Sequence, residues 1–600
     1  MIKIMIFSIL SAVHLYAGLI HPIDGSQINY TYVMFQWEEV EGSDEYQFEL
    51  STSDEFSSIL IHSSTNQLYY IEEENINWES NYSWRVKPTN TDWILGQFST
   101  SESSVTFQND DRPIEILAYN PSLASAGIII FGSYYNNYSA AIDMDGNEIW
   151  NSGGINTYVF FGIDENNNYL GGKFLPNFNN SLIGCEFSLD NSIIWSEPIN
   201  ENMVQNESFI QHEIIKLPNG NYMGFVPVIE SHPVPTYTDF PGRNNPFSWE
   251  DDCELYIENS SDYDWKGEVI IEWDQNTGEI IWEWNVFDYF NIDDFDYMAG
   301  HWETACNSAD SYDWIHFNAL LFDETENVLY VSSRHLDRIT KIDYSSKNII
   351  WNLGIPWLGD EVIVPDTLFS GQHGLQLLPN GNIVTLDNGI LSQFINTSLE
   401  SPVSRAIEIQ ISENNGHFSA ATIWSHTLPY DLYGALSGNV QKLNNGNYLI
   451  NTIGNVDGAY SIEVTSNHEI AWLCKYNLGN YNTGPLYRAM KIPGLYENEN
   501  ASLGITTIDI ELAQNFQIKS IHPNPFNPII NIEYELFVPM EVQFGIYNMK
   551  GEKIDKFYIG IQQPGHHNTS WNGEMYSSGM YFIVFENKEK LLRRKMMLLK

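Results

Sequence analysis

The sequence predicts an all-β chain: a six-bladed β-propeller flanked by an N-terminal β-sandwich and a small C-terminal β-sandwich. Three observations carry this. A phrase that ends a strand in Trp recurs six times, Asn-Gly hairpin turns precede several of the copies, and short runs of period-2 alternation fill both ends of the chain. At 600 residues the chain exceeds what one hydrophobic core serves, so it requires several domains or one large repeat array. Its 43% apolar and 14% aromatic content is enough to bury large cores, which excludes a disordered chain. The 27 Lys and Arg against 78 Asp and Glu give a net charge of −51, a field that repels phosphate backbones and anionic membrane surfaces. No nucleic-acid partner is expected. Cys185, Cys253, Cys306 and Cys474 are too few and too scattered for a disulfide scaffold or a zinc cluster and allow one or two bridges at most.

The chain opens Met-Ile-Lys, runs through an apolar stretch from Ile4 to Leu15 and reaches small residues at Ser11, Ala12 and Ala17. Residues 1–17 therefore read as a secretory signal peptide cleaved after Ala17, too short to span a bilayer. No later stretch approaches eighteen consecutive apolar residues, so no membrane-spanning helix is expected in the mature chain. Residues 19–108 alternate as half-buried strands do: Val33, Phe35 and Trp37, then Tyr46, Phe48 and Leu50, then Tyr82, Trp84 and Val86. The phrases Phe-Gln-Trp-Glu-Glu-Val-Glu-Gly and Tyr-Ser-Trp-Arg-Val resemble a fibronectin type III module, which implies an accessory spacing or docking role.

Residues 113–505 repeat. The Trp phrase stands at Trp150, Trp195, Trp282, Trp351 and Trp472, with a looser copy at Trp424. Leu-Pro-Asn-Gly-Asn at 217–221 and 378–382 and Leu-Asn-Asn-Gly-Asn at 443–447 are tight hairpin signals, because the turn needs positive φ. The Trp copies lie about 45 to 87 residues apart, which fits four-stranded blades with variable insertions; six such units make a six-bladed propeller. A long solenoid is the alternative.

Residues 515–600 change texture again. They open with His522-Pro523-Asn524-Pro525-Phe526-Asn527-Pro528, alternate as strands, and end in the basic run Lys588, Lys590, Arg593, Arg594, Lys595 and Lys600. This reads as a second small sandwich with a cationic tail. It resembles the C-terminal sorting domain of type IX secretion, which implies export through the periplasm, the type IX machinery as partner, and a secreted or cell-surface destination.

In a propeller the first strand of each blade lines the central channel, so equal phase along those strands predicts proximity. His212 and His373 each stand eight residues before the Gly of an Asn-Gly turn, and His316 shares that phase if Phe322-Asp323 replaces Pro-Asn. Asn318, two residues after His316, falls on the same face by strand alternation. Arg334 sits on a strand that otherwise reads apolar and β-branched, where an arginine is usually paired with a carboxylate or an anionic ligand. Three His, an Asn and an Arg make a donor-rich pocket suited to an oxyanion, as in a sulfate or phosphate ester. A zinc site from the three His is the rival reading, disfavoured by the adjacent Arg. The Trp copies read as blade packing. The acidic loops Asp251-Asp252 and Asp293-Asp294-Phe295-Asp296 read as solvated, with calcium the lesser reading.

Asp313-Trp314-Ile315-His316-Phe317-Asn318, Ser332-Ser333-Arg334, Ile350-Trp351-Asn352-Leu353-Gly354, Gln372-His373-Gly374 and Leu386-Asp387-Asn388-Gly389 together resemble the bacterial aryl-sulfate sulfotransferase family, over about 113–505. The resemblance implies a propeller that moves a sulfuryl group from a phenolic sulfate donor to a phenol acceptor, with no cofactor and no nucleotide sulfate. It implies His373 as the nucleophile, with His212, His316, Asn318 and Arg334 at the sulfate-binding and acid/base positions. Thr452 and Arg488 match the family as substrate-binding positions. Covalent catalysis follows as an expectation: His373 attacks sulfur, Arg334 and Asn318 hold the non-bridging oxygens, and His316 or His212 protonates the leaving phenolate. Two other classes stay open: a non-catalytic surface propeller that binds sulfated or anionic ligands, and a sulfate-ester hydrolase.

Overall fold

Each Trp-ending phrase forms the outer hairpin of a separate sheet, and each Asn-Gly turn joins the inner two strands of one. In the computed structural model the described residues are 18–103, 114–198, 210–233, 262–295, 301, 311–357, 362–363, 369–496 and 516–600, apart from 41, 90, 135–136, 155, 165–167, 176–180, 293, 356, 415–416, 455–457, 478–485, 524–525, 537–539, 549–552 and 588–589. The signal-peptide reading, Asp251-Asp252, Cys253 and Cys306 lie outside them. The chain divides into two compact units, Met1–Glu497 and Asn498–Lys600.

In the first unit six meandering sheets form the blades. Blade 1 pairs Ile128–Ser133, Tyr138–Ile142 and Glu148–Asn151 with Arg488–Ile492, which returns from the far end of the unit as the innermost strand. Blade 2 runs Tyr158–Ile163, Tyr169–Leu175, Ser181–Phe187, Ile193–Ser196. Blade 3 runs Gln211–Lys216, Tyr222–Pro233, Asp262–Trp273, Ile280–Asn285. Blade 4 comprises Phe317–Asp323, Val328–Ser333, Arg338–Asp343 and Ile349–Gly354, and blade 5 His373–Leu377, Ile383–Asp387, Arg405–Asn414 and His417–Thr427. Blade 6 holds Asn439–Lys442, Tyr448–Thr452, Ala459–Val464 and Ile470–Tyr476, and accepts Ile114–Tyr119 as an extra outer strand. Each inner strand neighbours the next, and the last neighbours the first, so the six blades close into a propeller. The expected hairpin chemistry is present: Gly220, Gly381 and Gly446 have φ of 89°, 83° and 86°.

The repeated Trp clasps neighbouring blades. Trp150 Nε1 donates to Leu189 O at 2.7 Å, Trp282 to Tyr344 O at 2.9 Å, Trp424 to Ser466 O at 3.0 Å and Trp472 to Met144 O at 2.9 Å, each time a turn carbonyl of the following blade. A buried Glu on the third strand repeats the clasp with side chains. Glu272 accepts from Asn221 Nδ2 at 2.8 Å within blade 3 and from the Tyr344 hydroxyl of blade 4 at 2.5 Å. Glu408 accepts from Asn382 at 2.6 Å and from Tyr448 and Lys442 of blade 6. The last Asn of each Asn-Gly-Asn turn is thus a ligand of its own blade's Glu.

The N-terminal sandwich packs a three-stranded sheet (Leu19–His21, Val33–Trp37, Tyr69–Glu72) on a five-stranded one running from Ser26–Ile28 to Ile59–Thr65. Its core of Phe35, Trp37, Phe48 and Trp84 is continuous with Trp150 and Phe187 of blades 1 and 2. Thr31 N donates to Ile149 O at 2.9 Å, and Asn151 N donates to Asn29 O at 3.0 Å. The sandwich thereby covers the outer edge of blade 1, an edge that would otherwise offer unpaired backbone groups. The second unit is itself two sheets, Phe516–His522, Ile529–Leu536 and Gly565–Asn572 in one and four strands ending with Lys590–Leu598 in the other, around Phe526, Phe544, Trp571 and Phe585. Cys185 and Cys474 are buried free thiols.

Two sequence expectations are corrected. Asp294 is not solvated: it is fully buried and ion-paired with Arg338, also fully buried, so its carboxylate serves the core. Arg334 does not lie on a strand. Val328–Ser333 ends before it, and Arg334–Leu336 form a short 3₁₀ turn closed by Asp337 in the left-handed region at φ 49°.

Candidate active site

The inner strands of blades 3, 4 and 5 each open with a β-bulge, and the three histidines stand at it or just before it. Pairing slips between Gln211 and Ile214, between Phe317 and Ala319, and between His373 and Leu375. A bulge re-aims side chains at the end of a strand. His212 and His316 take left-handed φ of 64° and 54°, a conformation that costs a non-glycine residue about 1–3 kcal/mol; in blade 5 Gly374 takes that role at φ 68°. A Cβ on Gly374 would approach Asn439 Cβ to 2.7 Å.

The rings of His212 and His316 lie 4.6 Å apart between centroids. His316 stacks on His335 at 4.6 Å, and His335 on His301 at 3.7 Å, so imidazoles form a column beside Arg334. Burial, reinforced by His316 and His373, holds the His212 ring well below the ordinary histidine pKa. Burial and then His301 do the same to His335, and burial and Arg334 push His301 down to about 3. Arg334 Nη1 donates to His335 Nε2 at 2.5 Å, and Nη2 lies 3.4 Å from Ala435 O. His335 Nδ1 donates to Asp313 O at 2.6 Å, so both of its nitrogens are engaged in hydrogen bonds. Asp313, His316 and His335 bring potential metal-ligand atoms within 4.8 Å of one another, but a cation there would compete with the Arg334 guanidinium for the His335 lone pair.

His373 is buried, and its Nδ1 lies 2.9 Å from Gly371 O and 2.8 Å from Asn388 Oδ1. Asn388 in turn donates from Nδ2 to Gly434 O at 2.7 Å and Ser437 O at 3.0 Å, which fixes its oxygen towards the ring. Two acceptors on one side place the proton on Nδ1 and leave the lone pair on Nε2. Burial and the Arg334 charge hold His373 well below the ordinary histidine pKa, against the opposing Asn388 bond, so the ring is neutral at physiological pH.

The structure brings His212, His316, Arg334 and His373 together and places the other expected residues around them. Asn318 is the bulged residue of the blade 4 inner strand. Asn318 is fully buried and donates to Gln372 O at 2.7 Å, bracing the residue before His373. Arg488 clamps the inner strands, with Nη1 on Glu213 Oε2 at 2.6 Å and Nη2 on Asn318 O at 2.5 Å. Thr452 Oγ1 donates to Leu432 O at 3.2 Å, beneath the loop whose Gly434 carbonyl orients Asn388. Sequence reasoning did not assign roles to Asp313, His335, Asn388 or Gln372, although all four lie inside or beside the quoted motifs. Gln372 Nε2 donates to Ser332 Oγ at 3.0 Å, Ser333 O at 3.1 Å and Arg338 O at 3.0 Å, bolting blade 5 to blade 4. Tyr134, Phe161 and Tyr487 form an aromatic wall by His212, with the Tyr134 and Tyr487 rings 4.6 Å apart and Phe161 5.3 Å from Tyr487.

Fold and site thus define a six-bladed β-propeller with a partly buried cluster of histidines and a buried arginine where the inner strands begin. Residues 252–476 match the arylsulfotransferase (ASST) family model, and residues 520–599 match the secretion system C-terminal sorting domain. The chain carries an arylsulfotransferase domain and a type IX sorting domain, which marks it for export to the cell surface or beyond. The first match includes His316, Asn318, Arg334, His373 and Thr452; His212 and Arg488 lie outside it. No curated protein matches the chain. Among solved structures, it overlaps a quinonprotein alcohol dehydrogenase-like protein from Bacteroides thetaiotaomicron at 9% identity and a TM-score of 0.21, over 94% of this chain and 100% of that one. It overlaps the periplasmic gluconolactonase PpgL of Pseudomonas aeruginosa at 9% identity and a TM-score of 0.26, over 75% and 99%. No described helix is long and apolar enough to cross a membrane.

Proposed function

We propose that the protein is an exported aryl-sulfate sulfotransferase that moves a sulfuryl group from a phenolic sulfate ester to a phenol through a sulfohistidine at His373, without a nucleotide sulfate donor. The observation that carries this reading is the His373 ring itself: neutral, pinned at Nδ1 by Gly371 and Asn388, and offering an Nε2 lone pair near a buried guanidinium. A nucleophile of this kind needs its lone pair aimed and its proton parked elsewhere. Arg334 supplies the positive charge that a sulfuryl group in transfer requires, and the neutral His212 supplies a directional hydrogen bond. Asn318, Arg488 and Thr452 act from behind, holding Gln372, the inner strands and the Asn388 loop. The wall of Tyr134, Phe161 and Tyr487 suits the face of an aromatic acceptor. The signal peptide over 1–17 and the fibronectin-like character of the N-terminal sandwich belong to the same proposal, as the means of export and of covering blade 1.

The test is release of a chromogenic phenol from its sulfate ester by the purified mature protein, with and without excess of a second phenol and with no nucleotide sulfate present. Transfer predicts acceptor-stimulated release together with sulfation of the second phenol. Release indifferent to the acceptor would identify a hydrolase, and no release from any aryl sulfate would identify a binding propeller. His373→Asn keeps the fold and removes the Nε2 nucleophile; full activity in that variant overturns the covalent route.

A further inference from the structure

Sulfuryl transfer to and from His373 needs a group that gives a proton to the departing phenolate and takes one from the incoming phenol. Both His212 and His316 stand beside the pocket, and the sequence does not choose between them. The structure does, through their partners. His316 Nδ1 lies 2.7 Å from Asp313 Oδ2, a contact within one short turn that leads from the edge strand Tyr312–Asp313 into the inner strand of blade 4. His212 Nδ1 faces the Tyr487 hydroxyl at 3.5 Å, and that hydroxyl donates to the backbone carbonyl of His212 at 2.7 Å. A carboxylate on one nitrogen of an imidazole fixes the tautomer and stabilises the imidazolium; a tyrosine hydroxyl spent on a carbonyl does neither.

We propose that Asp313 is the positioning residue that fixes His316, rather than His212, as the group exchanging a proton with the phenols. This rests on the transferase reading above. In the first half-reaction the His373 Nε2 lone pair forms the N–S bond, the S–O bond to the aryl group breaks with its electron pair on the phenolate oxygen, and the Nε2 proton of His316 moves to that oxygen. In the second, the acceptor phenol gives its proton to His316 Nε2, its oxygen bonds to sulfur, and the N–S electron pair returns to His373. Throughout, Nδ1–H of His316 stays on Asp313.

The surroundings of Asp313 favour the ionised carboxylate. Burial alone would raise its pKa, but the His316 ring, through its charge and its hydrogen bond, overrules it and holds the carboxyl well below its ordinary range, with Lys266 adding to the effect. The backbone holds it in register: Lys266 and Asp313 pair across parallel strands, and His335 Nδ1 donates to the Asp313 carbonyl. The charged and titratable groups facing the pair are His212, Lys266 and Glu268 from blade 3, Arg334 and His335 from the turn after blade 4's second strand, His301, and His373 from blade 5. Burial pushes Glu268 up to about 8, so it faces Asp313 largely as a neutral acid at and below neutral pH.

The experiment compares wild type with Asp313→Asn on a series of aryl sulfates, from 4-nitrophenyl sulfate, whose phenolate leaves unaided, to phenyl and 4-methylphenyl sulfate, whose phenolates need the proton. General acid catalysis is worth about 10²–10⁴-fold. Read on the first half-reaction as single-turnover phenol release, the expected result is release from 4-nitrophenyl sulfate within about threefold of wild type and a loss of about 100-fold on the poor leaving groups, while passage of the sulfuryl group to a phenol acceptor, which needs His316 as base, is slowed with every donor. A second readout needs no turnover: proton NMR of the ¹⁵N-histidine-labelled protein should show a downfield Nδ1–H resonance on His316 that disappears in Asp313→Asn. Equal loss of single-turnover release on every ester, or a wild-type His316 without that resonance, overturns the proposal. If wild type releases no phenol at all, the transferase reading fails, while the resonance still decides whether Asp313 fixes His316.

Discussion

Among single residues, holding imidazoles neutral in a buried pocket has a cost in acid stability, and its sign can be worked out. The folded pKa values of His212, His335 and His373 lie well below 6.5 and that of His301 near 3, all through burial first. Below pH 6.5 the unfolded chain therefore binds more protons, and the stability these groups allow is fully present above that pH and lost as pH falls beneath it. Buried carboxyls work in the opposite direction. Glu197, which accepts from Gly184 N and Ile210 N two residues before His212, is pushed up from 4.5 to about 8 by burial. The folded state then binds more protons between those values, so stability falls as pH rises from 4.5 towards 8. The expected melting temperature of the first unit passes through a maximum near pH 6.5, and Glu197→Gln flattens the decline between pH 6.5 and 8; calorimetry with an unchanged alkaline slope would rule out titration of this carboxyl. The matched phase of His212, His316 and His373 was readable in the sequence because a propeller repeats its backbone. Asp313, His335 and Asn388 were not readable as a set, because each acts through a carbonyl or side chain brought in by a turn.

Among elements, the same repeat holds the blades to one another. Each Trp phrase and each Asn-Gly-Asn turn was legible as a hairpin, since alternation and positive φ are local. Their second function was not, because it depends on the neighbouring blade: the Trp indole reaches the next turn carbonyl, and the turn Asn loads a buried Glu that also binds the next blade's Tyr or Lys. At the seam between blades 6 and 1, Glu463 accepts from Asn447 Nδ2 and from Lys491 Nζ, each at 2.6 Å, and both partners of the ion pair are buried. Removing one partner of a buried ion pair leaves the other charge uncompensated, at about 3–5 kcal/mol. Glu463→Ala is expected to destabilise the first unit by about that much in urea unfolding, whereas Trp472→Phe, which gives up one hydrogen bond to Met144 O, is expected to cost about 1 kcal/mol. Equal costs would mean that the clasp rests on aromatic packing rather than on charge. The bulges beside the three histidines were equally invisible, because an inserted residue leaves the apolar pattern on either side intact, and Asn318 is itself such an inserted residue.

For the whole propeller, the question is how a ring made of a linear chain stays shut. Two strands close it from opposite ends of the sequence. Ile114–Tyr119 adds to the outer edge of blade 6 and is half exposed, with Leu117 and Tyr119 at 47% and 41%. Arg488–Ile492 enters blade 1 as the innermost strand, largely buried, and pairs in unbroken register with Ile128–Gly132. Neither pairing was legible, since a strand's sequence gives its burial and not its distant partner. The inner strand also carries Arg488, whose guanidinium reaches Glu213 of blade 3 and the Asn318 carbonyl of blade 4, so closing the ring and assembling the pocket are one event. Local opening draws on segments with little buried contact, while strands at the centre open only with global unfolding. Native-state hydrogen exchange is therefore expected to show the amides of 489–492 exchanging at the global unfolding free energy and those of 114–119 exchanging several kcal/mol earlier. The reverse order would make the outer strand the true closure and would leave Arg488 to orient the pocket without holding the ring.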